Sequence, residues 1–207
     1  MELYKTKIKV CGLKNPLEVK CAADYGAQWY GMIFEKNSPR FISYKQAEVL
    51  LSSTPNCIKP VAVTVNPSDD FIKKNLIGNF DYIQLHGSET KDRITEIQNM
   101  GFKIIKAIKV KDEQDIDKHK EFNNADIILF DTPGMEKSLE FPKNLITKLP
   151  VGTKYALAGS ISEDNIENIN KLGVNFFDLS SSLESQLGYK DHRKIKNFIN
   201  KINELKN

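Results

Sequence analysis

A (β/α)8 TIM barrel of the α/β class is the fold that this sequence predicts, and three observations predict it. Short apolar runs alternate with longer amphipathic segments along the whole chain, giving eight strands each followed by a helix. Parallel strands joined by crossover helices require that alternation, and eight such units close into a barrel. The length of 207 residues fits such a barrel near its lower size of roughly 200 residues. No composition break marks a linker, so residues 1–207 are read as a single barrel domain. An open doubly wound sheet is the alternative; it wants a GxGxxG turn after the first strand, which is absent.

Strand one, Lys7 to Cys11, alternates so that Ile8 and Val10 face outward and Lys7, Lys9 and Cys11 face inward. Asn15 caps helix one, Pro16 opens it and Gly26 ends it. Strand two runs from Trp29 to Phe34, and a polar loop to Ile42 carries Arg40. Ser43 caps helix two through Leu51. Strand three is Pro60 to Val65, followed by a helix to Ile77. Strand four is Tyr82 to His86, with a helix from Glu89 to Met100. Strand five is Lys103 to Val110, with a charged helix from Glu113. Strand six is Asp126 to Asp131, then a loop and a short helix from Pro142 to Leu149. Strand seven is Tyr155 to Ala158, with Ser162 as cap of the next helix. Strand eight is Asn175 to Leu179, and the last helix from Asp191 carries a stripe of Ile195, Phe198, Ile199, Ile202 and Leu205.

Composition narrows the function classes. A net charge of +3 with scattered lysines argues against nucleic acid as a partner. The apolar runs are too short for a membrane span, and no signal peptide is read at the start. Cys11, Cys21 and Cys57 lack CxxC spacing, so neither a disulfide framework nor a metal site is expected, and the compartment read is the reducing cytoplasm.

The active site of a barrel lies at the C-terminal ends of its strands. That rim collects Cys11, Arg40, His86, Asp131, Gly159, Ser160, Ser180, Ser181 and Ser182. Alternation puts Gln84 on the face of His86, and Asp178 on the face of Ser180. Each has a plainer reading: Cys11 as a small buried hydrophobe, His86 as a polar strand-end residue, Asp131 as a turn former. Asp178 reads equally as the carboxylate that a buried Lys9 requires. Barrels often bind phosphate between the loops after strands seven and eight, where Gly159, Ser160, Ser181 and Ser182 are small enough to let a phosphate near the backbone.

Lys9-Val10-Cys11-Gly12, Asn37-Ser38-Pro39-Arg40-Phe41-Ile42-Ser43 and Gln84-Leu85-His86-Gly87 together resemble the phosphoribosylanthranilate isomerase family of tryptophan biosynthesis. Ile128 to Asp131, Leu157-Ala158-Gly159 and Asp178-Leu179-Ser180-Ser181 extend the resemblance over nearly the whole chain. It implies Cys11 as general base, Asp131 as general acid, Arg40 on the anthranilate carboxylate and phosphate between the last two loops. Gln84, His86 and Asp178 are expected to contact the substrate. The reaction implied is the Amadori rearrangement of N-(5-phosphoribosyl)anthranilate to 1-(2-carboxyphenylamino)-1-deoxyribulose 5-phosphate, a cofactor-independent aldose-ketose isomerisation. It needs a proton delivered to the ribose ring oxygen and another taken from C2′. Lys9 is expected to favour the Cys11 thiolate.

The chain departs from the family at several points. The loop from Thr132 to Phe141 has one glycine and is shorter; Ala-Gly-Gly becomes Ala158-Gly159-Ser160; Ser-Ser-Gly-Val-Glu becomes Ser180-Ser181-Ser182-Leu183-Glu184; and Pro-Gly becomes Leu187-Gly188. The catalytic pair is kept. Two rival readings are another sugar-phosphate isomerase and a barrel that binds a phosphorylated ligand without turnover. The expected partner is a small phosphorylated substrate, with the chain a monomer or homodimer.

Overall fold

The computed structural model describes residues 6–132, 141–150, 152, 154–159 and 161–205. Within them the chain runs β1 (Lys7–Cys11), α1 (Pro16–Asp24), β2 (Trp29–Ile33), α2 (Tyr44–Ser52), β3 (Lys59–Thr64), α3 (Asp69–Asn75), β4 (Tyr82–Leu85) and α4 (Lys91–Asn99). It continues with β5 (Lys103–Lys109), α5 (Glu113–Asp117), β6 (Ile127–Asp131), α6 (Lys143–Ile146), β7 (Tyr155–Leu157), α7 (Ile166–Lys171) and β8 (Phe176–Leu179). A short hairpin, β9 (Glu184–Gln186) and β10 (Tyr189–Lys190), precedes α8 (His192–Glu204). Strands β1 to β8 pair in sequence order and close into a barrel, with β8 returning in parallel to β1.

Period-two alternation divides the apolar residues between two cores. Ile8, Val10, Tyr30, Met32, Ile83 and Leu85 point outward and pack with helix residues such as Val19, Leu50, Ile94 and Ile199. Cys11, Val61, Val63, Ile105, Ala107, Leu129 and Phe176 fill the barrel interior. The stripe on α8 is buried at Ile195, Phe198, Ile199 and Ile202, each contributing about 1.5–3 kcal/mol by leaving water.

Helix starts follow their caps. Asn15 accepts the Glu18 N–H at 3.0 Å, Ser43 and Gln46 form a reciprocal capping box, and Asp191 accepts from Arg193 and Lys194. Two elements differ from expectation. Ser162 does not cap α7, because the Asn165 carboxamide reaches back to the Ser162 N–H at 2.8 Å and closes a turn first. The helix therefore begins at Ile166. The second difference is the β9–β10 hairpin, which the sequence pattern does not announce. Gly188 takes φ +79° at its turn, where a Cβ would stand 2.6 Å from the Pro39 carbonyl oxygen, so only glycine fits both the conformation and the approach.

Candidate active site

The site grows from the end of β1. Lys9 and Asp178 are cross-strand partners in the β1–β8 ladder, and the Lys9 ammonium donates to both Asp178 oxygens at 2.9 and 2.8 Å. Burial works against charge on both groups, but this two-oxygen contact is an ion pair, and Asp178 holds the Lys9 ammonium above its usual range. The carboxylate that a buried lysine demands is thus Asp178, which also lines the cavity above. Gly31 on β2 makes the room: a Cβ there would fall 2.7 Å from Cys11 Sγ and 3.2 Å from Lys9 Nζ. Cys11 is buried, and burial pushes its thiol up; the Lys9 charge and hydrogen bond pull the other way and do not win. Lys9 thus favours the thiolate as expected, but burial outweighs it and the net direction is toward the thiol.

Arg40 comes from the turn after β2, where the Arg40 N–H donates to Ser38 Oγ at 3.1 Å. Its methylene stem lies across Gly12, where a Cβ would be 2.8 Å from Arg40 Cδ. The guanidinium is held on one edge by Glu184, Nε to Oε1 at 2.6 Å and Nη2 to Oε2 at 2.9 Å. Lys190 donates to Glu184 Oε1 at 2.8 Å. Glu184 and Lys190 were not singled out in the sequence. Each is a charged residue in a short hairpin strand, and no period marks such a residue as buried.

Across the barrel, Asp131 ends β6. Its Oδ1 accepts the Thr132 N–H at 2.8 Å. His86 Nε2 stands 3.3 Å from Oδ2, within ion-pair distance but off the line a hydrogen bond needs. Gln84 is buried beneath His86, and its Oε1 has no hydrogen-bond partner among the described residues. A buried acceptor left open in a cavity wall is a place for a ligand donor. Behind this wall, buried Lys106 pairs with Glu89 at 2.7 Å and donates to the Gly87 carbonyl at 2.7 Å. Glu89 in turn accepts the Gly87 and Asn66 N–H groups. That buttress holds the His86-Gly87 turn and was also missed, although a lysine inside an apolar strand asks for a carboxylate.

Cys11, Arg40, Gln84, His86, Asp131, Gly159, Asp178, Ser181 and Ser182 all line one cavity of about 360 Å³, within the usual range for a small-molecule site. Ser160 lies outside the described residues, as does the part of the strand-six loop from residue 133 to 140. Ser181 and Ser182 form a single 3-10 turn after β8. Among the described residues neither their N–H groups nor that of Gly159 donates a hydrogen bond. α7 begins only at Ile166. Among the described residues no group of three His, Cys, Asp or Glu is arranged to hold a metal ion.

A family model described as N-(5'phosphoribosyl)anthranilate (PRA) isomerase matches residues 8–201. The N-(5'-phosphoribosyl)anthranilate isomerase of Thermoanaerobacter sp. (strain X514) is 35% identical, covering 97% of this chain and 99% of its own. That of Clostridium kluyveri is 33% identical with the same coverage. A crystal structure of phosphoribosyl anthranilate isomerase with reduced 1-(o-carboxyphenylamino)-1-deoxyribulose 5-phosphate superposes with a TM-score of 0.84, at 26% identity over 96% of this chain and 99% of that one. Monomers of the dimeric enzyme from Thermotoga maritima superpose with a TM-score of 0.81 at 25% identity, covering 96% and 99% of the two chains. With a parallel eight-stranded barrel and a full-length match to the family model, the chain belongs to the N-(5'-phosphoribosyl)anthranilate isomerase family.

Proposed function

We propose that the chain carries out the family's Amadori rearrangement with Cys11 as general base and Asp131 as general acid. The observation that carries this reading is that Cys11 and Asp131, from β1 and β6, open onto the same cavity, with Arg40 in its wall. Asp131 delivers a proton from Oδ2 to the ribose ring oxygen, the C1′–O bond breaks, and an imine forms. The fraction of Cys11 that has already lost its proton to solvent takes the C2′ proton as thiolate, giving the enol that tautomerises to the ketone. Protonation of the leaving oxygen and removal of a carbon-bound proton each suit a group held in place rather than a solvent species.

Arg40 grips the anthranilate carboxylate, and the amides of Gly159, Ser160, Ser181 and Ser182 bind the phosphate. Gln84, His86 and Asp178 face the ribose chain between those two ends. The substrate is a small phosphorylated molecule, no cofactor enters the chemistry, and the barrel is the chain's one domain. The free thiols of Cys11, Cys21 and Cys57 suit a reducing cytoplasm. A homodimer is proposed beside the monomer on the strength of the dimeric relative. The test is decay of phosphoribosylanthranilate fluorescence on adding purified protein. Catalysed decay that inorganic phosphate inhibits competitively supports the reading; decay at the uncatalysed rate contradicts it.

A further inference from the structure

We propose that Glu184 and Lys190 are positioning residues that orient the Arg40 guanidinium and set the net charge of the carboxylate subsite. The inference rests on the reading of Arg40 as the carboxylate grip and names what makes that grip work.

A guanidinium has five N–H donors in a fixed plane, and a carboxylate can take two of them in parallel. Glu184 occupies the edge formed by Nε and Nη2. That leaves the end formed by Nη1 and Nη2, with three N–H groups, for a second carboxylate in the same plane. The side chains of Arg40 and Glu184 are only 12% and 6% exposed, and the Arg40 stem is confined over Gly12. The plane of the guanidinium is therefore fixed before any ligand arrives.

An arginine already paired with a glutamate is neutral as a pair and attracts an anion weakly. Lys190 changes that balance. Its side chain is 0% exposed, and its ammonium donates to Glu184 Oε1 and to the Ser180 carbonyl at 3.1 Å. Burial alone would raise the Glu184 carboxyl, but the bonds from Arg40 and Lys190 outweigh it and keep the group ionised. Burial pulls the Lys190 ammonium below its usual range while Glu184 opposes that; with the ammonium donating to Glu184 at 2.8 Å, two cations surround one carboxylate, an excess of one positive charge in a desolvated place. An incoming monoanionic carboxylate brings that count to zero, so the subsite is completed by the ligand. The hairpin supplies both residues, since Glu184 and Lys190 are paired across β9 and β10. Ser180 extends the network by donating to the Cys11 carbonyl at 3.2 Å.

The experiment compares Glu184→Gln, Lys190→Met, Arg40→Ala and the Arg40→Ala/Glu184→Gln double variant, measuring KM and kcat for phosphoribosylanthranilate and inhibition by inorganic phosphate. Arg40→Ala and Lys190→Met are each expected to raise KM roughly tenfold, as loss of a charge-assisted contact does, and Glu184→Gln to raise it about threefold or more because the freed guanidinium outweighs the added positive charge, with kcat within about threefold and phosphate inhibition within about twofold throughout. A merely structural role would weaken phosphate together with substrate. The double variant is expected to match Arg40→Ala within about twofold, since Glu184 acts through Arg40. If Glu184→Gln does not fold, Glu184→Asp keeps the charge count while shortening the reach, and a KM raised threefold or more is expected. Unchanged KM in the foldable Glu184 variant, or equal loss of phosphate inhibition, overturns the proposal. Unchanged KM in Arg40→Ala instead removes the carboxylate grip itself, and the proposal falls with it.

Discussion

Cys11 holds the sharpest local conflict in the molecule, because a group proposed to take a proton as thiolate is buried where that charge is costly. The Lys9 ammonium beside it is already committed to Asp178, so its field on the sulfur is partly cancelled and burial prevails. Thiolate is the species that alkylates, and a raised pKa moves its formation to higher pH. The alkylation rate of Cys11 by iodoacetamide, followed by peptide mass spectrometry, is therefore expected to rise with a midpoint above the value of about 8.5 for a free thiol. A midpoint near neutrality would show that the cations win and would reverse this account of the resting state. The motifs made Cys11, Arg40 and Asp131 legible in the sequence. The protonation of Cys11 was not, because it depends on how Lys9 divides its charge between two neighbours.

At the scale of elements, the informative unit is the segment from Ser180 to Lys190. As sequence it reads as a loop with small residues in place of the family's glycines. As structure it is a 3-10 turn that presents the Ser181 and Ser182 amides, followed by a hairpin that buries Glu184 and Lys190 under Arg40. A strand of two or three residues is too short for alternation to register, which is why the hairpin escaped a pattern-based reading. If the amides hold the phosphate, the hydroxyls are dispensable. Ser181→Ala and Ser182→Ala are each expected to change the inhibition constant of inorganic phosphate by less than about threefold, whereas a loss beyond tenfold in competition kinetics would assign the binding to side chains. Helix seven teaches the converse point. Ser162 carries the residue type of a cap, but the Asn165 carboxamide oxygen accepts the Ser162 N–H within a turn and the helix starts only at Ile166, which composition alone does not announce.

For the whole molecule, the eight strands were legible because each is a short apolar run between amphipathic segments, and their pairing follows chain order. The closure of β8 on β1 is what brings Asp178 beside Lys9, residues 169 positions apart, so the buried pair records that the barrel has closed. Asp178→Asn leaves the Lys9 ammonium without its counter-charge, at a cost of about 3–5 kcal/mol. For a chain of this size that is a fall in Tm of roughly 10 °C in a calorimetric scan; a change under about 2 °C would mean the pair contributes little to closure. Barrel and catalytic site thus share one interaction at the base of the cavity.

The central claim is that Cys11 and Asp131 move the two protons, and its most direct measurement is steady-state turnover of phosphoribosylanthranilate by Cys11→Ala and Asp131→Asn, with affinity for a product analogue determined on the same samples. The account predicts kcat lower by roughly 10²–10⁴ in each variant and analogue affinity within about threefold of the unsubstituted protein. Near-normal kcat in Cys11→Ala would contradict it.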